Sequence, residues 1–222
     1  MSEPKHDLIR RREEEKEQRR EAIIDAAERV FTESGFDAAK MEDVARQARV
    51  SRALVYLYFK NKAELHLAIC ARALTLLRER FLAAAAQHTS GHDQVLALGR
   101  SYFAYADEFP CYFQALTRLE AHPPEEVAPD SIEQTVMDCG LAVHMVTVAC
   151  IERGMRDGSI RADLEHPLLS ALSLWAFTHG LIQLARTKRH FFARIGIGTE
   201  RFVEYAMALA ARGLRPVAEK HA

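Results

Sequence analysis

Apolar residues recur along this chain at three- and four-residue intervals, and almost nowhere in the strict alternation of a half-buried strand. Residues 3–20 (EPKHDLIRRREEEKEQRR) are a mixed-charge arm, expected to be helical towards its end and frayed at its start. The first packed helix then carries Ile23, Ala27, Val30 and Phe31 on one stripe and stops at Ser34-Gly35, where glycine supplies a left-handed cap. A short second helix follows, with Met41, Val44, Ala45 and Ala48 at i, i+3, i+4 and i+7. After Arg49-Val50 comes a third, N-capped by Ser51 and turning Val55, Tyr58 and Phe59 inward. From Asn61-Lys62 a long helix runs through Leu65, Ile69 and Leu76 to about Gln87, linking a small head to a larger body.

The body reads as further helices. One precedes Phe109-Pro110, and the next runs from Cys111 to about Ala121. A proline-rich loop, His122-Pro123-Pro124 to Pro129-Asp130, leads to a long helix over about 131–156 that ends at Asp157-Gly158. Two last helices cover about 167–188 and 198–213. The first of these has Leu168, Leu169, Leu172, Leu174, Trp175, Phe177, Leu181, Ile182 and Leu184 on almost every side, so it needs burial on more than one face. In a domain of this size a partner subunit is the natural cover for one of them. There is no internal repeat. The expected fold is all-α: an arm (1–20), a three-helix head containing a helix-turn-helix (21–66) and a helical body for ligand binding and dimerisation (67–222).

With 49% hydrophobic and 27% charged residues, the chain has the composition of a soluble globular protein. Cys70, Cys111, Cys139 and Cys150 form no CxxC pair and sit in apolar stretches, which points to small buried thiols in a reducing compartment. The N-terminal residues lack the apolar core of a secretory signal, and no uninterrupted apolar run reaches the ~18 residues that span a bilayer. A cytoplasmic protein without membrane contact is expected. The net charge of −1 gives no hint of nucleic acid, so any DNA-binding patch must be local.

Such a patch exists. Between residues 40 and 62 six basic residues (Lys40, Arg46, Arg49, Arg52, Lys60, Lys62) face two acids (Glu42, Asp43), a local charge of +4. Basic charge alone is more often a solvated face. Here it coincides with helix–turn–helix spacing over 41–48 and 51–58, the arrangement that lays a recognition helix in the major groove. The outward residues of the third helix are expected to be Ser51, Arg52, Ala53, Leu54 and Tyr56.

The stretch GFDAAKMEDVARQARVSRALVYLYFKNKAELHLAI also resembles the DNA-binding head of TetR-family regulators, through Gly35-Phe36, Val44-Ala45, Val50-Ser51, Val55-Tyr56, Tyr58-Phe59, Lys62 and Leu65, over about residues 17–69. The resemblance implies a homodimer, usually a repressor, whose C-terminal domain binds a small molecule that changes the separation of the two heads. It implies that Tyr56 lies against a phosphate, that Tyr58 hydrogen-bonds one, that Lys62 pairs with the DNA backbone, and that Ser51, Arg52 and Ala53 face base edges. An arginine bidentate to guanine O6 and N7 is worth about 1–3 kcal/mol of discrimination, which singles out Arg52.

Three positions depart from the family pattern. Arg49 replaces the turn glycine, a left-handed residue at a cost of about 1 kcal/mol that a phosphate contact would offset. Leu54 replaces a threonine and offers an apolar contact, to a thymine methyl for example. Ala39 and Lys40 stand where a threonine would cap the second helix, so the cap bond is lost while Lys40 can still reach a phosphate. In the body, Trp175-Ala-Phe-Thr-His179-Gly180 resembles the tryptophan and His-Gly signature of one TetR subclass, and Gly180 costs its helix about 1 kcal/mol unless a neighbouring helix comes close. The last two helices would then form a four-helix dimer interface.

A ligand site would draw on Tyr102, Phe103, Phe113, Met137, His144, Met145, Trp175, Phe177 and His179, which suits a hydrophobic or aromatic ligand, although plain core packing is the commoner role for each. His88 and His92 have the spacing of metal ligands, but Ser90-Gly91 between them suggests a loop and no metal site. No cofactor is expected. An enzyme is the second reading, weakened by the lack of a Gly-rich phosphate loop, GxSxG or HExxH. A helical module for a protein partner is the third, with the arm as its candidate surface.

Overall fold

The computed structural model describes residues 3–216. The elements among these residues are all helical: α1 (Glu3–Ser34), α2 (Met41–Gln47), α3 (Arg52–Tyr58), α4 (Lys62–Ala85), α5 (Gly91–Glu108), α6 (Pro110–Ala121), α7 (Ile132–Asp157), α8 (Pro167–Thr187), α9 (Arg189–Arg194) and α10 (Thr199–Leu214). Two of these differ from the periodicity. The arm continues α1 without a break from Glu3, its Arg10 pairing with Asp7 and Glu14 at i−3 and i+4. The six-residue α9 occupies a stretch with too few residues to show a period.

The chain divides into two compact units, with boundaries inside α4 and α7 and at the start of α6. The first unit comprises the residues through Ala73 together with Cys111–Val136. Its core joins Ile23, Ile24, Ala27, Val44, Val55, Phe59, Leu65 and Ile69, all almost completely buried. At about 1.5–3 kcal/mol for each large apolar side chain, this burial is what holds the two seven-residue helices α2 and α3, which are too short to persist alone. Arg72 of α4 ties down α1 through Asp25 and Glu28, both at 2.7 Å, and Glu21. Tyr112 of α6 donates to the same Glu28 at 3.0 Å. Arg118 of α6 lies 3.8 Å from the Phe36 ring centroid and 3.2 Å from Asp37. The helix over 110–121 therefore packs with the head residues, beyond the boundary at 66 that the sequence suggested.

The second unit holds Leu74–Pro110 and the residues from Met137 on. Helix α5 enters it against α7 so closely that a Cβ on Gly91 would lie 2.0 Å from Gly154 N. Only glycine fits there. Asp157 Oδ2 accepts the Gly91 amide at 2.9 Å, and Ser159 Oγ accepts that of His92 at 3.0 Å. His92, expected in a loop, is buried in the first turn of α5, where its Nε2 donates to Ala211 O of α10 at 3.0 Å. Among the described residues no group of three or more His, Cys, Asp or Glu side chains is arranged to hold a metal ion. Cys70 and Cys150 are buried, Cys111 and Cys139 only half-buried, and all four are free thiols.

Helices α7 and α8 are, by length and composition alone, long and apolar enough to cross a membrane, as core helices of globular proteins also are, although neither contains an uninterrupted apolar run of ~18 residues. In α8 uncharged polar residues such as Ser170, Ser173, Thr178 and Gln183 interrupt the apolar run without adding charge. One face of α8 is buried at Ala171, Thr178, Leu181 and Ile182, and the opposite face leaves Leu169, Leu172, Phe177 and Leu184 exposed. Helix α10, packed beside α8, exposes Tyr205 and Leu209 on a stripe of its own.

Candidate nucleic-acid interface

The turn between α2 and α3 is set by backbone hydrogen bonding. Val50 N donates to Ala45 O at 3.0 Å and Arg49 N to Arg46 O at 3.2 Å, a Schellman pair that closes the α2 C-terminus. Such a cap requires a left-handed residue, and Arg49 takes that role at φ 57°. Ser51 then opens α3, its Oγ accepting from Leu54 N at 3.2 Å. Lys40 caps α2 through its backbone only, its carbonyl accepting from Asp43 N and Val44 N.

Helix α3 is anchored by Val55 and Phe59, with Tyr58 half-buried, so its other face is open. That face presents Ser51, Arg52, Ala53 and Tyr56, with Leu54 half-buried. It also presents Leu57, which at 78% has the greatest exposure among the exposed large hydrophobic residues. The sequence reading missed Leu57, although its place four residues after Ala53, off the Val55–Phe59 side, is a sufficient signal. Around this helix Lys40, Arg46, Arg49, Arg52 and Lys60 are all exposed. The arrangement is a positively charged surface with a hydroxyl, a phenol and two apolar side chains at its centre, suited to phosphates at the rim and base edges in the middle.

Three of the basic residues are already engaged, the first being Arg46, which pairs with Asp43 within α2. Lys62, opening α4, donates from Nζ to the carbonyls of Phe36 (2.6 Å), Asp37 (3.1 Å) and Ala39 (3.0 Å), and lies 4.5 Å from the Phe36 ring centroid. Its three N–H donors thus hold the loop between α1 and α2, where the resemblance implied a DNA phosphate. Nearby, Asn61 Oδ1 accepts from Glu64 N at 2.8 Å and the Glu64 carboxylate accepts from Lys60 N, which caps α4. Arg52 Nη1 lies 2.8 Å from Glu42 Oε1, and its guanidinium sits 5.3 Å from the Tyr56 ring centroid. Hydrogen bonding to Tyr56 first, and the charge of Glu42 second, hold the Arg52 pKa above its ordinary value.

The candidate ligand residues divide. In the second unit Tyr102 OH lies 2.8 Å from His179 Nδ1, both buried, and Trp175 stands 5.9 Å from His179 and 5.4 Å from His144. Phe103 is half-buried beside Tyr102 in α5. Burial lowers the pKa of His144 and of His179, favouring neutral rings. Met137, Met145 and Phe177, by contrast, are exposed, and Phe113 belongs to the first unit. The three exposed residues lie outside this buried aromatic cluster.

Comparison with known proteins agrees with the geometry of the head. Residues 23–69 match the model of the bacterial regulatory proteins of the tetR family. The chain is 28% identical over 187 residues to the HTH-type transcriptional regulator TtgR of Pseudomonas putida, covering 79% of this chain and 84% of that protein. It is 40% identical over 91 residues to the HTH-type transcriptional regulator BetI of Rhizobium meliloti, covering 41% of this chain and 44% of that protein. In fold it is similar to the transcriptional regulator FadR from Bacillus subtilis in complex with stearoyl-CoA, at a TM-score of 0.64 and 16% identity over 87% of this chain and 98% of that one.

Proposed function

We propose that this chain, a helix-turn-helix transcriptional regulator of the tetR family and not an enzyme, works in the cytoplasm as a homodimeric repressor that a small hydrophobic or aromatic ligand releases from operator DNA. The observation that carries the reading is α3: a seven-residue helix held by Val55 and Phe59, with Arg52, Ala53, Tyr56 and Leu57 turned outward amid local positive charge. Ser51, Arg52 and Ala53 face base edges, with Arg52 reading a guanine, Leu54 and Leu57 meet thymine methyls, and Tyr56, Tyr58, Lys40 and Arg49 contact phosphates. Lys62 acts through the loop it holds, fixing where α2 starts and so how α3 is presented.

Dimerisation is supported by the exposed apolar stripes of α8 and α10. Leu169, Leu172, Phe177, Leu184, Tyr205 and Leu209 together form a surface of the kind that a second copy covers. Gly180 lies on the same side of α8, with nothing within 4 Å of where its Cβ would be, so the close neighbour that would justify a mid-helix glycine is the partner's helix. The ligand reading rests on Tyr102, His144, Trp175 and His179, a cluster of neutral aromatic rings with one polar pair, and it includes Trp175 and His179 of the subclass signature.

The test is selection of bound duplexes from random-sequence DNA, followed by titration at several salt concentrations. The expected outcome is one near-palindromic site and an affinity that falls steeply with salt, by a log–log slope of about −0.9 for each phosphate neutralised. Binding that is equal on all duplexes, or insensitive to salt, refutes the proposal.

A further inference from the structure

Arg52 is 61% exposed, yet it is held by two groups from different helices: the Glu42 carboxylate in the first turn of α2, at 2.8 Å, and the Tyr56 ring one turn along α3, at 5.3 Å. A carboxylate here works against the positive surface around it, since Glu42 must approach phosphates whenever Arg52 does. Asp43, the other acid of the segment, is matched within its own helix by Arg46. Glu42 instead reaches across the turn to the one arginine placed at the start of the outward face. Because the partners sit on separate helices, the pair fixes the guanidinium relative to both.

We propose that Glu42 is a positioning residue for sequence reading: it holds the Arg52 guanidinium away from the DNA backbone, so that Arg52 engages DNA only where a base edge offers acceptors that replace the carboxylate. Specificity is a difference of affinities, and it is raised as effectively by weakening the wrong complex as by strengthening the right one. On random duplex Arg52 stays with Glu42 and adds little. On the operator the two acceptors of a guanine, O6 and N7, take its place in the fork geometry that a guanidinium favours. The inference rests on α3 being the recognition helix, and it adds a residue on α2 that touches no base.

The experiment measures equilibrium binding of the full-length protein to two duplexes of equal length and composition, one carrying the site selected by the wild type and one shuffled. Wild type, Glu42→Gln, Arg52→Ala and the double variant are compared at one salt concentration, with thermal midpoints recorded for each. Glu42→Gln is expected to tighten shuffled-duplex binding about tenfold while operator affinity changes by less than about threefold, so the preference for the operator falls. In the Arg52→Ala background the same change is expected to leave the preference unaltered. A preference unchanged by Glu42→Gln, whether both affinities rise, fall or stay together, overturns the proposal. So does an equal loss of preference when Arg52 is already absent. A wild type that shows no preference at all overturns the recognition-helix reading and this inference with it, whereas a selective wild type with an unaffected Glu42→Gln removes only the inference.

Discussion

Arg49 occupies the left-handed position that closes α2, at φ 57°, with a side chain that an L residue holds there only under strain. Replacing it by glycine relieves about 1 kcal/mol of backbone strain, so Arg49→Gly is expected to raise stability by up to that amount in urea denaturation. The same change removes a cation from the surface proposed to face DNA, so affinity should fall and the salt slope should flatten by about 0.9. A variant that gains stability without losing affinity would show that Arg49 has no phosphate partner. The turn was legible because Val50-Ser51 and the flanking apolar spacing place it within a residue.

His66 was not legible, since nothing in the sequence marks it as buried. From α4 it packs against the ring of Phe36 in the α1–α2 loop, 5.1 Å between centroids. Burial first, and the Arg118 cation second, lower its pKa to about 4. A histidine whose folded pKa is depressed favours folding in its neutral form. Its contribution is therefore full above the unfolded value near 6.5 and is lost as pH falls towards 4, at up to about 1.4 kcal/mol per pH unit. Denaturation midpoints between pH 7 and 4 should drop for the wild type, and drop less for His66→Gln.

At the scale of elements, α3 is the clearest case of a helix made by its neighbours. Phe59→Ala, which empties a buried site at its C-cap, should cost about 3–5 kcal/mol. Leu57→Ala on the opposite side should leave stability within about 0.5 kcal/mol and weaken operator binding. If Leu57→Ala destabilised the fold as much as Phe59→Ala, the assignment of faces would be wrong. Periodicity located nine of the ten helices among the described residues, the seven-residue α2 and α3 with the help of the turn between them, whereas the six-residue α9 is too short to show a period. It did not reveal which helices share a core. That α6 packs with the head follows from single long-range contacts, Arg118 with Phe36 and Tyr112 with Glu28, and such pairs leave no local pattern. Likewise Lys62 was identified as important from its motif, while its three carbonyl partners depend on the path of the α1–α2 loop.

For the whole molecule, the excess of apolar residues around α8 was readable as a need for a second cover, and its exposed stripe is the face that such a cover would close. Leu209→Glu places a charge on the matching face of α10 and should convert a dimer to monomers in sedimentation equilibrium without unfolding the chain. Gly180→Ala fills open space in a single chain, where it would stabilise the helix by about 1 kcal/mol, so a weakened dimer would point to the partner as the neighbour. The aromatic cluster proposed to hold a ligand was only half readable. Tyr102, Trp175, His144 and His179 converge, whereas composition could not separate them from Met137, Met145 and Phe177 on outer faces.

That two copies of α3 read one duplex is tested most directly by hydroxyl-radical footprinting on the selected operator. The predicted result is two equivalent protected patches on one side of the duplex, related by a two-fold axis, with centres a whole number of helical turns apart (about 10–10.5 bp each), and both lost together in Arg52→Ala. A single patch, or protection that survives Arg52→Ala unchanged, would contradict it.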